Sequence, residues 1–295
     1  MYKKARLIYN PTSGRELAKK NLADILIALE KAGYEASTYA TKGKGDATRE
    51  AKRASKKGFD LIVAAGGDGT IYEIINGLAQ EKQRPKLAIL PLGTTNDFAR
   101  AIGVPKNLNK ALELIGKDKT KKVDVGKMNH RYFINIAGGG ALTELTYETP
   151  IALKTALGQL AYYIKGIEKL PSLRPYTLTI EANEKKWDEE ALVFLVANSN
   201  SVGGFEKLAP GARIDDGLFD VFILKKCNIA DLARVMTLLM RGEHINDPKV
   251  VHFQTDHLRV TTPDEVLINL DGELGGTTPC EFQLLKKHIE IIVGK

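Results

Sequence analysis

The chain of 295 residues predicts an α/β protein: a parallel-sheet first half, then a largely antiparallel second half. Three observations predict it. First, the apolar run Asp60–Ala65 passes directly into Gly66-Gly67-Asp68-Gly69-Thr70. Ile71–Asn76 follows, with apolar residues at helical spacing. That is strand, glycine turn, helix. Second, small polar turns at Asn10–Gly14 and Gly93–Asp97 also follow strand-like runs and precede helical ones. Repeated βα units make a parallel sheet, and ligands gather at the carboxyl ends of its strands. Third, from about Lys121 short apolar runs separated by turns replace that rhythm.

In chain order, Ala5–Tyr9 reads as a strand. A helix from about Glu16 to Ala32 carries Leu22, Ile25, Leu26 and Leu29 on one face and stops at Gly33. Tyr34–Ala40 reads as a strand, and Asp46 as the cap of a basic helix ending at Gly58. Lys86–Pro91 reads as a strand running into Leu92–Arg100. Val123–Met128 and Tyr132–Ile136 pair around Asn129-His130. A helix from Leu153 to Leu170 follows, its apolar stripe facing a core. Further strands are expected at Tyr176–Ala182, Ala191–Ala197, Leu218–Leu224, His257–Thr261, Val266–Leu270 and Phe282–Leu285, with one helix at Ile229–Met240. The change of texture puts the domain boundary between residues 122 and 123.

Composition bounds the function classes. Apolar and charged fractions are those of an ordinary soluble globular protein. No run approaches the ~20 apolar residues of a membrane span, and the N-terminal apolar stretch is too short for a signal peptide. Cys227 and Cys280 have no metal-ligand spacing and read as buried thiols, so a reducing cytosol is the default. The net charge of +7 favours anionic partners. Basic clusters lie at Lys3–Arg6, Arg49–Lys57 and Lys117–Lys122, each of which a solvated face also explains. With no zinc-finger spacing and no aromatic RNA-binding pattern, nucleic acid is not an expected partner.

The glycine turn at residues 66–70 is neither a P-loop nor a G-x-G-x-x-G fingerprint. Its glycines let an anion approach a helix N-terminus, and Thr70 with Glu73 fits a capping box. Asp68 would repel phosphate unless a cation or a transferable proton lies between them, which points to a nucleotide with Mg²⁺. Asp215-Asp216-Gly217 and Asp271-Gly272-Glu273 add acids at two further turns, where such residues are also common for purely local reasons. With Asp68, Asp97 and Asp124 they suit phosphoryl transfer. Amides hold phosphates, magnesium offsets charge, and a carboxylate takes the attacking hydroxyl's proton.

Asn10-Pro11-x-Ser13-Gly14, Gly66–Thr70, Gly93-Thr94-x-Asn96-Asp97-Phe98-Ala99-Arg100 and Asp271-Gly272-Glu273 stand in an order that resembles the diacylglycerol and sphingosine kinase superfamily, above all its soluble bacterial diacylglycerol kinases. Asn129-x-Arg131–Asn135, Tyr147–Pro150, Ala161–Gly166 and Arg241–His244 strengthen the likeness. The resemblance implies a nucleotide domain over 1–122 similar to 6-phosphofructokinase and NAD kinase. It implies a β-sandwich-like domain over 123–295, whose last segment is open to returning to the first, with ATP in the cleft between. Asn10, Pro11, Thr12, Ser13, Gly14, Thr41, Gly67, Asp68, Gly69, Thr70, Glu73 and Thr94 match nucleotide-contacting positions. Glu273, ranked above Asp271, matches the catalytic base. Asp216, with the carbonyls of Arg213 and Leu218, matches a structural magnesium site, and Asp68, Asp97 and Asp124 match an acidic network linked to it. Tyr72 stands where the family usually has Asn, and Arg15 where Lys is common.

The reaction so implied is ATP-dependent phosphorylation of the primary hydroxyl of diacylglycerol, giving phosphatidic acid. Another lipid alcohol (a sphingoid base or phosphatidylglycerol) is the alternative within the superfamily. A non-catalytic lipid- or nucleic-acid-binding protein is the alternative from another class. A cytoplasmic enzyme peripheral at the inner membrane face is expected. It would be drawn to an anionic membrane surface by residues such as Lys154, Lys165 and Lys169. A homodimer is compatible with the resemblance.

Overall fold

A computed structural model describes residues 3–140, 174–200 and 207–294. The expected helix at 153–170, the motifs at 147–150 and 161–166, and Lys154, Lys165 and Lys169 lie outside the described residues. The fold is α/β, with an N-terminal parallel sheet and a C-terminal antiparallel β-sandwich. The chain divides into two compact units: Met1–Val125 with Lys286–Lys295, and Gly126–Leu285.

In the first unit, β1 (Lys3–Tyr9) leads to α1 (Leu17–Lys20) and α2 (Leu22–Lys31). Then come β2 (Tyr34–Ala40), α3 (Asp46–Lys56), β3 (Leu61–Gly66), α4 (Asp68–Leu78) and β4 (Lys86–Pro91). The short α5 (Asp97–Ala101) and α6 (Leu108–Lys117) follow. The strands lie in the order β4–β3–β1–β2, all parallel. Every residue of β3 is buried, which explains its unbroken apolar run: a parallel sheet covered on both faces shows no alternation. Each fully buried Leu or Ile there stabilises the fold by roughly 1.5–3 kcal/mol.

The single helix expected from Glu16 to Ala32 is broken. A 3₁₀ turn covers Ser13–Glu16, and Asn21 interrupts the rest by donating Nδ2 to the Leu17 carbonyl at 2.9 Å. A side-chain amide competing for a backbone acceptor accounts for the break. The sequence reading also passed over α6. Its signals are present: Asn107 caps it by accepting from Lys110 N at 3.1 Å, and Ala111, Leu112 and Ile115 form its buried side.

The strand β5 (Thr120–Met128) runs into the second unit. There follow β6 (Arg131–Phe133), β7 (Ile136–Gly140), β8 (Tyr176–Ala182), β9 (Lys185–Ala197) and β10 (Phe219–Lys225). Then come α7 (Ile229–Arg241), β11 (Val250–Thr255), β12 (His257–Thr261), β13 (Leu267–Leu270), β14 (Glu273–Thr277) and β15 (Cys280–Ile292). The pairing runs β14–β13–β7–β9–β8–β12–β15, with β10 on β9 and β11 on β10. Aromatic rings fill the core. Phe133 stacks on Phe219 at 5.6 Å, and Phe282 meets Phe133 and Phe194 edge-on at 6.2 and 6.5 Å.

The strand β7, Ile-Ala-Gly-Gly-Gly, was not expected as one, because glycine weakens strands. Its glycines make room. A Cβ at Gly139 would strike the Phe194 ring, and one at Gly138 the Leu195 side chain. After Leu285 the last strand re-enters the first unit. There Ile291 pairs with Leu87 of β4, and Val293 and Gly294 donate to the Lys119 and Ile102 carbonyls.

Candidate functional site

In the first unit, four loops leave the carboxyl ends of parallel strands, and three of them interlock. Asn10 N donates to the Ala65 carbonyl at 3.1 Å, tying the β1 loop to β3. Its Oδ1 accepts from Thr12 N and Oγ1 at 3.0 and 2.9 Å, an Asx turn. Gly14, at φ +58°, lies so close to the Leu92 carbonyl that any Cβ would collide with it. Gly67 faces Gly93, whose own Cβ would strike the Gly67 Cα. Leu92 N donates to the Gly66 carbonyl at 3.0 Å. Asn96, in the left-handed region, braces the third loop: its Oδ1 accepts from Gly93 N at 3.0 Å and its Nδ2 donates to Gly93 O at 2.6 Å. Gly69 and Thr94 are exposed, with open space beside the Gly69 Cα. Ser13 and Thr70 are half-buried.

Asp68 is half-buried and reaches from its own turn to the next loop. Its Oδ2 accepts from Asn96 N and its Oδ1 from Asp97 N, both at 2.9 Å, so it caps α5 and joins the second loop to the third. Its negative charge is thus met by backbone donors of the third loop. Burial raises its pKa above the ordinary carboxylate value, against the lowering effect of those amides. Asp97 is buried and lies 3.7 Å from the Arg100 guanidinium. Asp124, fully buried, accepts from Lys287 N at 2.6 Å. Hydrogen bonds thus join Asp68 to the Asp97 backbone, whereas Asp124 braces the last strand.

The capping box expected from Thr70 and Glu73 does not form. The helix α4 begins at Asp68 with Gly67 as its N-cap and no side-chain cap, which puts Thr70 inside the first turn. Thr70 packs its side chain against Gly66 instead. Glu73 reaches across to α3, accepting from Gly45 N at 2.7 Å and Ala47 N at 3.0 Å. Asp46 likewise is the first residue of α3 and not its cap. Its carboxylate gathers Lys42 N and Gly43 N at 2.7 and 3.0 Å and pairs with Arg49, and these bonds, the Lys42 amide foremost, hold its pKa below the usual range. Thr41 N donates to the Tyr9 carbonyl at 2.9 Å. Tyr72 is buried.

In the second unit, Asp271 and Gly272 have φ +50° and +94° and form the two-residue loop between paired Leu270 and Glu273. That is the geometry of a type I′ hairpin, for which Asp-Gly is favoured. The Asp271 carboxylate folds back onto three amides, Ile134 N at 2.7 Å and Asn135 N and Ile136 N at 2.9 Å. Asn269 Oδ1 accepts from Gly272 N at 2.7 Å. Below the turn, Asn198 Nδ2 donates to the Ile134 carbonyl and Ser199 Oγ to Asn135 Oδ1. Glu273 is half-buried and opens β14. Elsewhere in this unit, Asp216 Oδ1 accepts from Leu218 N at 3.1 Å beside Gly217 at φ +79°, and Arg213 lies 3.6 Å from Asp215.

These loops lie within regions that match known families. Residues 4–128 match the diacylglycerol kinase catalytic domain, and 146–293 the YegS C-terminal NAD kinase beta sandwich-like domain. A diacylglycerol kinase of Bacillus subtilis is 54% identical over 99% of this chain and 97% of its own length. One from Staphylococcus haemolyticus is 52% identical over 100% and 89%. The chain belongs to the diacylglycerol kinase family. A crystal structure of a diacylglycerol kinase from Bacillus anthracis aligns over 99% of this chain and 97% of its own, with TM-score 0.79 and 31% identity. This lipid kinase has no helix among its described residues long and apolar enough to cross a membrane.

The sequence reading missed the supports of the kinase's acid hairpin: Asn269, Asn198 and Ser199 were not singled out. The available signal was the abrupt Asn198-Ser199-Asn200 after a buried strand. Cys280 is buried, its thiol pKa pushed up to about 12 by burial, while Cys227 is only half-buried. As for magnesium, no group of three or more acidic, His or Cys side chains stands together among the described residues. A site of one carboxylate with two carbonyls needs none. The Asp216 carboxylate and the Arg213 and Leu218 carbonyls are hard oxygen donors, the chemistry such an ion takes.

Proposed function

We propose that this enzyme transfers the γ-phosphoryl group of ATP to the primary hydroxyl of diacylglycerol, forming phosphatidic acid. The observation that carries this reading is the set of loops brought into backbone contact by Gly14, Gly67 and Gly93 at the carboxyl ends of β1, β3 and β4, in a member of this kinase family. Residues 1–122 would serve as the nucleotide domain. In this reading Asn10–Gly14, Gly67–Thr70 and Thr94 hold the phosphates and Thr41 the nucleoside side. Glu73 stands behind the Thr41 loop. Asp68 and Asp97 lock the second and third loops, and Asp124 fixes the last strand beside them.

Chemistry at the acceptor falls to the hairpin. In this reading Asp271, whose oxygens are engaged by three backbone amides, fixes the turn and Glu273 is the base. Glu273 takes the proton of the acceptor hydroxyl as its oxygen bonds to the γ-phosphorus. The bond from that phosphorus to the bridging oxygen breaks, and ADP leaves with the electron pair. A structural magnesium ion would be held by Asp216 and the Arg213 and Leu218 carbonyls. When bound it would offset the negative charge of the neighbouring acids; the nucleotide would bring its own.

The acceptor assignment is supported by the names of the Bacillus subtilis and Staphylococcus haemolyticus relatives. A radiolabelled-ATP assay in mixed micelles tests it: label should enter diacylglycerol in preference to a sphingoid base or phosphatidylglycerol. Preference for either of those would overturn the acceptor, and label in none would overturn the transfer. The enzyme would work from the cytoplasm as a visitor to an anionic bilayer. Its rate on vesicles should therefore rise with anionic lipid and fall with salt.

A further inference from the structure

We propose that Asn269 recognises the acceptor lipid, its side-chain NH₂ donating to an ester carbonyl of diacylglycerol. The inference deepens the proposed kinase reading and rests on it. Asn269 Oδ1 accepts from Gly272 N at 2.7 Å. A backbone N–H does not donate to an NH₂ group, so this bond fixes which end of the amide meets the turn. The other end, Nδ2, is buried and has no hydrogen-bond partner among the described residues. Leaving a buried donor unpaired is costly, and such a group calls for an explanation.

The sheet around Nδ2 offers it no side-chain acceptor. Register sets Asn269 opposite Leu274 on β14 and Gly138 on β7, and Leu267 precedes it by two residues on the same face. Leu195 leans over Gly138, where a Cβ would strike its side chain. An amide donor bordered by leucines suits a neutral carbonyl carrying aliphatic chains better than it suits a free anion. Leu267 and Leu274 are 47% and 45% exposed, so either can turn aside to uncover Nδ2. The proposed base is close along the hairpin: Leu270, next to Asn269, pairs with Glu273. That pair points to the other face of the sheet. Gly272, in the turn between, is exposed, with open space where a Cβ would stand. An acceptor lying across this bare tip would bring its hydroxyl to Glu273 and its ester carbonyl to Asn269. Diacylglycerol has that carbonyl, and a sphingoid base does not.

The test pairs Asn269→Asp, which keeps an oxygen for Gly272 N and removes the donor, with a lipid whose two esters are replaced by ethers. The ether lipid keeps the hydroxyl and the chains and lacks both carbonyls. Wild type should favour the diester in kcat/KM by about tenfold, the worth of one hydrogen bond to an otherwise unpaired donor. In Asn269→Asp that ratio should fall to near one. The ratio is the readout because a new negative charge near Glu273 would slow both lipids alike. Asn269→Ala, which also loses the Gly272 bond, should abolish the preference too and lower the melting temperature. Arg131 reaches this hairpin as well, donating Nη1 to the Leu274 carbonyl at 2.6 Å, so KM for ATP is measured alongside and should stay at the wild-type value. A preference kept by both variants would overturn the proposal, as would a wild type that treats the two lipids alike. So would a raised KM for ATP with the preference kept, which would assign the donor to phosphate. A wild type that labels neither lipid would overturn the kinase reading on which the proposal rests.

Discussion

The loops of the first unit and the hairpin of the second solve the same problem by opposite means. Around Gly14, Gly67 and Gly93 the shape is made by missing side chains: backbones touch, and an added methyl has nowhere to go. Around Asp271 the shape is made by side chains that bind backbone, with a carboxylate gathering three amides from residues 135 to 137 positions away. Close backbone approach would leave accessible the amides proposed to bind phosphate. Anchoring by a carboxylate would leave a neighbouring one, Glu273, for the proposed chemistry. The first arrangement should be intolerant of added volume, and the second of lost charge.

The largest expected effect sharpens this contrast within one hairpin. Glu273→Gln should lower kcat by about 10²–10⁴-fold, the usual cost of losing a general base, with the melting temperature unchanged. Asp271→Asn should lower the melting temperature as well, because an amide in place of the carboxylate turns an NH₂ group toward N–H donors. Equal melting temperatures for the two variants would erase the distinction between base and anchor. Gly93→Ala tests the other region. Its Cβ should force the second and third loops apart, cost about 1–3 kcal/mol by overpacking and raise KM for ATP. Wild-type values for both would show that the loops are not locked by contact.

Smaller effects bear on what each unit needs from its surroundings. Magnesium should raise the melting temperature of wild type but not of Asp216→Ala; equal shifts would remove the proposed ion site from the second unit. Each unit also holds a partly or wholly buried imidazole, His288 in the first and His244 in the second. Burial lowers the pKa of both below the ordinary 6.5, with His252 lowering His244 further. Protonation therefore favours the unfolded chain. The stability they contribute is complete above about pH 6.5 and is lost as pH falls below it. His244→Phe and His288→Gln should each flatten the acid limb of a stability–pH curve, and a slope unchanged in both would refute the assignment.

How much of this was legible follows from the same contrast. The first unit's strand–turn–helix units could be read directly, since glycines, caps and apolar periods are local signals. The family and the α/β class were legible too. Glu73 and Asp68 were legible as polar residues of a turn, but their partners were not. Glu73 bonds to residues 26 and 28 positions away, and Asp68 to residues 28 and 29 away. In the second unit, the charged first half of β9 (Lys185–Glu190) and the glycines of β7 hid strands whose reason is a tertiary neighbour. Asn269, Asn198 and Ser199 looked like ordinary loop residues, because nothing local marks a side chain that will support a turn formed by distant chain.

The return of β15 to the first unit has a consequence for the order in which the protein can be made. The edge of β4 that receives Ile291, and the Lys119 and Ile102 carbonyls that receive Val293 and Gly294, belong to chain synthesised early. At roughly 5–20 residues per second, Gly126–Leu285 takes on the order of ten seconds or more to follow. Throughout that interval the outer edge of β4 lacks its neighbour, the kind of surface that recruits wrong partners. The ribosome must translate through β15 before the first-made half can close, so a product stalled or truncated ahead of that strand would carry an adhesive edge in its place.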